Sequence, residues 1–178
     1  AELEGSIFGE HFGWADGDQD GFITDAEWAF VSAGMASQDY GLVAVDLKPD
    51  GSGATEIWRH KKNLPSIASP LVAGGVVFLV KDGGIVSALD AATGALKRRE
   101  RLPDAEGEHW PSPVAAGGKL YVASNAGKVN VLAADAGFEV IATSDLGEEI
   151  VATPALGDGE ILVRTSDALH CYRAPPAK

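Results

Sequence analysis

Apolar residues fall along this chain in two regimes. Over residues 40–173 they form short runs rich in Val, Ile, Leu and Tyr, broken by Gly, Asp and Asn. That is the pattern of short β-strands joined by tight turns. Ahead of residue 40 the spacing changes. Phe8 and Phe12 stand four apart, and Trp28, Val31 and Met35 three and four apart, as on one face of a helix. Short helices are therefore expected over residues 6–15 and 25–37, followed by strands.

The strand region repeats itself. A small residue followed by proline recurs as Ser69-Pro70, Ser112-Pro113 and Thr153-Pro154, about forty residues apart, the period of a propeller blade. After each pair the order of events is the same: a strand, a Gly-containing turn, a second strand, another turn and a third strand. The first copy predicts strands over residues 71–73, 76–80, 85–89 and 95–102. The second predicts them over 114–116, 119–123, 128–132 and 138–143, and the third over 155–156, 161–164 and 168–172. Four short antiparallel strands per copy make a blade, and the glycine content argues against a helical repeat. Upstream, Leu42-Val43-Ala44-Val45-Asp46 matches Val86-Ser87-Ala88-Leu89-Asp90, so residues 42–46 and 55–60 read as half a blade. Prolines 175 and 176 end the pattern. Two whole blades and two incomplete ones are expected.

Between the two predicted helices runs Asp16-Gly17-Asp18-Gln19-Asp20-Gly21-Phe22-Ile23-Thr24-Asp25-Ala26-Glu27, which matches the twelve-residue EF-hand Ca²⁺ loop at every informative position. A hard cation needs several oxygens on one small sphere. Asp16, Asp18 and Asp20 offer carboxylates, Phe22 its backbone carbonyl, Thr24 a contact through water, and Glu27 a bidentate carboxylate. Gly21 stands where the chain must bend with positive φ. Ile23 occupies the position that normally pairs with a second loop, and no second loop is found. The expected fold class is mainly β, a partial β-propeller of four-stranded antiparallel blades with an N-terminal EF-hand helix-loop-helix. The helix-loop-helix takes residues 1–38 and the blades residues 39–178.

The blade pattern resembles the PQQ-like β-propeller repeats of quinoprotein alcohol dehydrogenases and of the propeller lipoprotein of outer-membrane assembly. Ala88-Leu89-Asp90-Ala91-Ala92-Thr93-Gly94 is the best match to the family's A-x-D-x-x-T-G motif. The family then implies a Trp that docks neighbouring blades, and Arg98 stands in its place. Ala133-Ala134-Asp135-Ala136-Gly137 lacks the Thr-Gly ending, and the half-blade keeps Asp46 with a displaced Trp58. An EF-hand just ahead of the last blades resembles a group of exported bacterial PQQ-like repeat proteins, which implies a periplasmic or extracellular location. Complete propellers of the family have seven or eight blades. The resemblance thus implies a partial propeller completed by a protein partner or by self-association, with strand 55–60 of a second chain as one candidate for the missing outer strand.

Composition narrows the function. The 178 residues carry 14 Lys and Arg against 26 Asp and Glu, a net charge of −12, which argues against a nucleic-acid partner and favours cations. A single cysteine, Cys171, excludes an internal disulfide. No apolar run is long enough for a membrane span, and residues 1–5 are acidic rather than a basic signal start. His11, His60, His109 and His170 lack metal-ligand spacing, and no Ser or Cys sits in a nucleophile motif. Lys97, Arg98, Arg99 and Arg101 read as a solvated outer strand. Trp110, just before an inner strand, is either blade packing or a contact at the ring's mouth. In order of preference, these features predict a non-enzymatic binding or assembly scaffold with structural Ca²⁺, a fragment of a PQQ-dependent quinoprotein oxidoreductase, and a carbohydrate- or peptide-binding module using Trp110.

Overall fold

A computed structural model describes residues 15–36 and 40–173. The predicted helix over residues 6–15 lies outside them except for Ala15, which is helical. The chain divides into two compact units, residues 1–40 and 41–178.

In the first unit, α1 (Asp25–Ala36) follows the acidic loop. Its start is fixed by a reciprocal cap. The Glu27 amide donates to Thr24 Oγ1 at 3.3 Å, and Thr24 N donates back to Glu27 Oε2 at 2.8 Å. Two amides that lack helical partners are thereby satisfied. The first turn also holds Asp25 and Glu27, whose charge suits the positive end of the helix dipole. Of the predicted apolar face, Val31 is buried while Trp28 is half exposed. The side chain of Met35 lies outside the described residues.

The second unit contains four antiparallel sheets. The half-blade pairs β1 (Leu42–Leu47) with β2 (Ala54–His60). Blade one is β3 (Leu71–Ala73), β4 (Val76–Lys81), β5 (Ile85–Asp90) and β6 (Leu96–Arg101). Blade two is β7 (Val114–Ala116), β8 (Lys119–Ala123), β9 (Lys128–Ala133) and β10 (Val140–Asp145). Blade three has β11 (Ala155–Gly157), β12 (Glu160–Arg164) and β13 (Leu169–Arg173). Each sheet is a meander of neighbours in chain order, as local hairpins demand.

Strand alternation builds the seams between blades. On β4, Phe78 and Val80 turn to blade two, where they meet Leu120, Leu132 and Phe138. Val77 and Leu79 turn the other way and pack with Leu42, Trp58 and Leu64 of the half-blade segment. Ala123 and Val129 meet Ile150 and Val163 in the next seam. A side chain as large as Phe78, wholly buried, contributes about 1.5–3 kcal/mol.

The proline-linked anchors make a second seam device. Ser69 N donates to Ser112 Oγ at 2.8 Å, and Ser112 N donates to Thr153 Oγ1 at 3.0 Å. Each hydroxyl accepts from the backbone of the blade before it. The small residue ahead of each proline is thus an inter-blade clasp.

Two details depart from the strand expectations. Phe138 belongs to a turn at φ +29° rather than to β10, which starts at Val140. It leaves the strand because burial between blades outweighs pairing; only 2% of it is exposed. Arg98 is more than a solvated charge, for its guanidinium lies 5.0 Å from the centre of the Phe138 ring.

Candidate metal centre

The loop from Asp16 to Glu27 bends around its own carboxylates. Asp16 is buried and accepts Asp20 N at 3.1 Å on Oδ1 and Gly21 N at 2.9 Å on Oδ2. Gly21 sits at φ +88° in open space, so its role is conformational, a left-handed bend that a side chain would strain. Asp18 Oδ1 accepts Asp20 N at 3.2 Å, and Asp20 Oδ1 accepts Phe22 N at 2.8 Å.

Glu27 closes the loop from the first turn of α1. Its Oε1 accepts Gly17 N at 2.8 Å, and its Oε2 accepts both the amide and the hydroxyl of Thr24 at 2.8 Å. The helix start therefore carries this carboxylate back to the beginning of the loop. Its carboxyl is held below the usual range by the Thr24 amide first, then the Thr24 hydroxyl; desolvation opposes them, and the Gly17 and Asp18 amides add to the lowering.

Ligand oxygens of Asp16, Asp18 and Glu27 lie within 4.8 Å of one another. Two like charges at about 4 Å repel by about 1 kcal/mol even in water, and a divalent cation between them reverses the sign of that interaction. Oxygen-only donors suit Ca²⁺ over softer metals. Of the six predicted ligands, these three are brought together. Asp20 is turned to the Phe22 amide and Thr24 to Glu27, while the Phe22 side chain points into solvent at 72% exposure.

His11 lies outside the described residues, and His109 and Trp110 are tied to the turns around them. Buried His109 has Nδ1 3.3 Å from the Gly107 carbonyl, and its backbone N donates to Asp82 Oδ1 at 2.9 Å. Burial pushes its pKa below the ordinary histidine value, opposed by the Gly107 carbonyl and the Asp82 charge. Trp110 is half-buried, and its backbone N donates to Asn125 Oδ1 at 3.0 Å. The three turns that follow second strands, at Asp82, Asn125 and Ser166, thus hold the loops between blades. Ser66 Oγ also donates to Asp82 at 2.9 Å, and Ser166 N to the Glu149 carbonyl at 2.8 Å.

His170 is a residue that sequence spacing did not single out for a cluster. It stands 3.2 Å from both Glu148 Oε2 and Thr165 Oγ1, and Thr165 also donates to Glu148. The signal is absent from local sequence because Glu148 reaches blade three from the preceding loop.

No curated protein matches the chain. Among solved structures, BamB from Moraxella catarrhalis superimposes with a TM-score of 0.59 at 19% identity, over 73% of this chain and 39% of that one. A europium-containing methanol dehydrogenase aligns at 17% identity over 57% of this chain and 20% of its own, with a TM-score of 0.46. A quinohemoprotein alcohol dehydrogenase, ADHIIG from Pseudomonas putida HK5, aligns at 21% identity over 58% and 17%, also with a TM-score of 0.46. This chain thus spans well under half the length of each. The likeness to BamB agrees with the four antiparallel sheets in showing a partial propeller. The family profile of the outer membrane protein assembly factor BamB, PQQ_2, matches residues 19–139, and the chain belongs to that family.

Proposed function

We propose that this chain is a calcium-binding PQQ-like repeat protein that serves as a non-enzymatic binding or assembly scaffold. Residues 1–38 form the Ca²⁺-binding helix-loop-helix and residues 39–178 the blades. The observation that carries the calcium reading is the convergence of Asp16, Asp18 and Glu27 oxygens within 4.8 Å, on a twelve-residue loop with Gly21 at positive φ. Asp20, the Phe22 carbonyl and a water held by Thr24 complete the shell by the loop pattern. With protein oxygens around the ion and no second loop in the sequence, the metal serves stability rather than cooperative sensing. The scaffold reading draws on the family, whose description is that of an assembly factor. The same reading includes a location outside the cytoplasm, in the periplasm or beyond, and draws on that kinship for support. No described helix is long and apolar enough to cross a membrane.

Thermal melting tests the calcium reading. Adding Ca²⁺ after exhaustive chelation is expected to raise the melting temperature of the wild-type chain, and Asp16→Asn with Glu27→Gln should abolish that rise. A melting curve insensitive to Ca²⁺ and chelator contradicts it.

A further inference from the structure

Three connectors carry the chain from one sheet to the first strand of the next, over residues 61–70, 102–113 and 146–154. They are held alike. In the second and third, the carbonyl four residues ahead of the anchor accepts an amide from the turn of the blade being entered, Asn125 N to Glu108 O at 3.0 Å and Ser166 N to Glu149 O at 2.8 Å. The next amide is bound by the turn of the blade being left, His109 N to Asp82 Oδ1 at 2.9 Å and Ile150 N to the Asn125 carbonyl at 3.4 Å. In the first connector, Ser66 Oγ donates to the Asp82 turn of the blade being entered, at 2.9 Å. The anchors are themselves bonded in series. With the backbone fixed on either side, the residue two ahead of each anchor takes the same place on each blade.

That place is apolar three times over. It holds Ile67, Trp110 and Val151, of which Ile67 is 62% exposed, Val151 49% exposed and Trp110 half-buried. One exposed apolar residue signifies little. Here the repeat gathers three, because the anchors two residues on are bonded from Ser69 to Ser112 and from Ser112 to Thr153. Beside Val151 lies a hollow of about 270 Å³, bounded also by Glu149, Ala152, Arg164, Thr165 and Ser166. The charge around the three is uneven. Residues 102–113 and 146–154 contain no Lys or Arg, whereas Asp104, Glu106 and Glu108 precede Trp110 and all are exposed. Arg101, the nearest cation along the chain, is turned to the Gly83 carbonyl. Glu148 is engaged with Thr165 and His170, and Glu149 shares the hollow with Arg164. The net negative charge therefore lies on the Trp110 side.

We infer that Ile67, Trp110 and Val151 form a docking surface for a segment of a partner protein that carries Lys or Arg beside a large apolar residue. The apolar residue enters the hollow against Val151. The cation lies at Trp110, where the indole face and the Glu106 and Glu108 carboxylates both attract it. A chain of net charge −12 also draws such a segment from a distance. The surface is built on connectors that run between described strands at both ends. It rests on the scaffold reading, for which it supplies the place and the chemistry of the partner, and it is independent of calcium.

The probe is a displayed library of random short peptides, selected on the 178-residue chain. Selected peptides are expected to carry Lys or Arg close to Trp, Phe, Leu or Met. A synthetic copy of the best should bind saturably by fluorescence anisotropy, and more weakly as ionic strength rises. Ile67→Ser with Val151→Ser should weaken that binding at least about tenfold, and Glu106→Gln with Glu108→Gln about threefold. All four side chains are exposed, so the fold tolerates these changes. Hydrogen exchange of the wild-type chain, which needs no variant to fold, should show protection of residues 108–112 and 149–153 on peptide addition. Selection of acidic peptides, binding indifferent to both double variants, or the absence of any selected peptide that saturates overturns the inference. A dimer that protects the same residues without peptide also overturns it, by assigning the surface to a second copy. None of these outcomes alters the Ca²⁺-dependent melting. PQQ-dependent dye reduction in the presence of an alcohol would instead sink the scaffold reading itself, so the two failures are distinguishable.

Discussion

Single residues in this protein act through the turns they hold. Asp90 Oδ1 accepts the Ala92 and Thr93 amides and the Thr93 hydroxyl, and Lys97 pairs with the other oxygen at 2.9 Å. Its carboxyl lies at about 2, lowered first by Lys97 and then by Thr93. A depressed carboxylate contributes stability that is complete above its ordinary value of 3.8 and is lost as the pH falls through the folded value. Asp90→Asn should therefore flatten the acid limb of a stability profile between about pH 4 and 2, as read by denaturant melts across that range. The same sign holds for Glu27, whose lowered carboxyl stays ionised to lower pH than an ordinary glutamate, so that Ca²⁺ binding is expected to weaken only once the solution is acid enough to protonate it.

At the scale of elements, the seams decide stability. Trp58 of β2 donates its indole N–H to the Ala91 carbonyl at 3.0 Å and lies so close to Gly94 that a Cβ there would stand 2.6 Å from its ring. Trp58→Ala should cost about 2 kcal/mol, below the range for a fully buried Trp because Trp58 is only partly buried. Gly94→Ala should also destabilise, through the clash and through its φ of +70°. Phe138→Ala is expected to cost about 3–5 kcal/mol as a buried aromatic plug, and Ser112→Ala about 1 kcal/mol by orphaning the Ser69 amide. Chemical denaturation of the four variants checks that order. Strand positions were legible in the sequence because period-two apolar runs and Gly turns are local signals, and the anchors set their phase. The clasp from one anchor to the next was not, since a Ser-Pro pair gives no hint of its partner some forty residues on. Trp58 looked displaced because the turn before it is longer, yet a bulge at Ala44 and Val45 restores its register to that of Arg98. In the loop, spacing pointed to Asp16, Asp18 and Glu27, whose oxygens lie within 4.8 Å of one another, whereas the turning of Asp20 and Thr24 to their own neighbours depends on backbone geometry that spacing does not encode.

For the whole molecule, the net charge of −12 and the acidic loop point the same way, toward cations. The acidic loop belongs to the compact unit of residues 1–40 and the blade seams to that of residues 41–178. Calorimetric titration of the chelator-treated chain with Ca²⁺, run beside the same titration with Mg²⁺ and beside the Asp16→Asn, Glu27→Gln double variant, is the most direct test of the central claim. The account predicts one saturable Ca²⁺ site per chain, weaker Mg²⁺ binding and no site in the variant. Absence of saturable Ca²⁺ heat from the wild type, or equal binding by the variant, would contradict it.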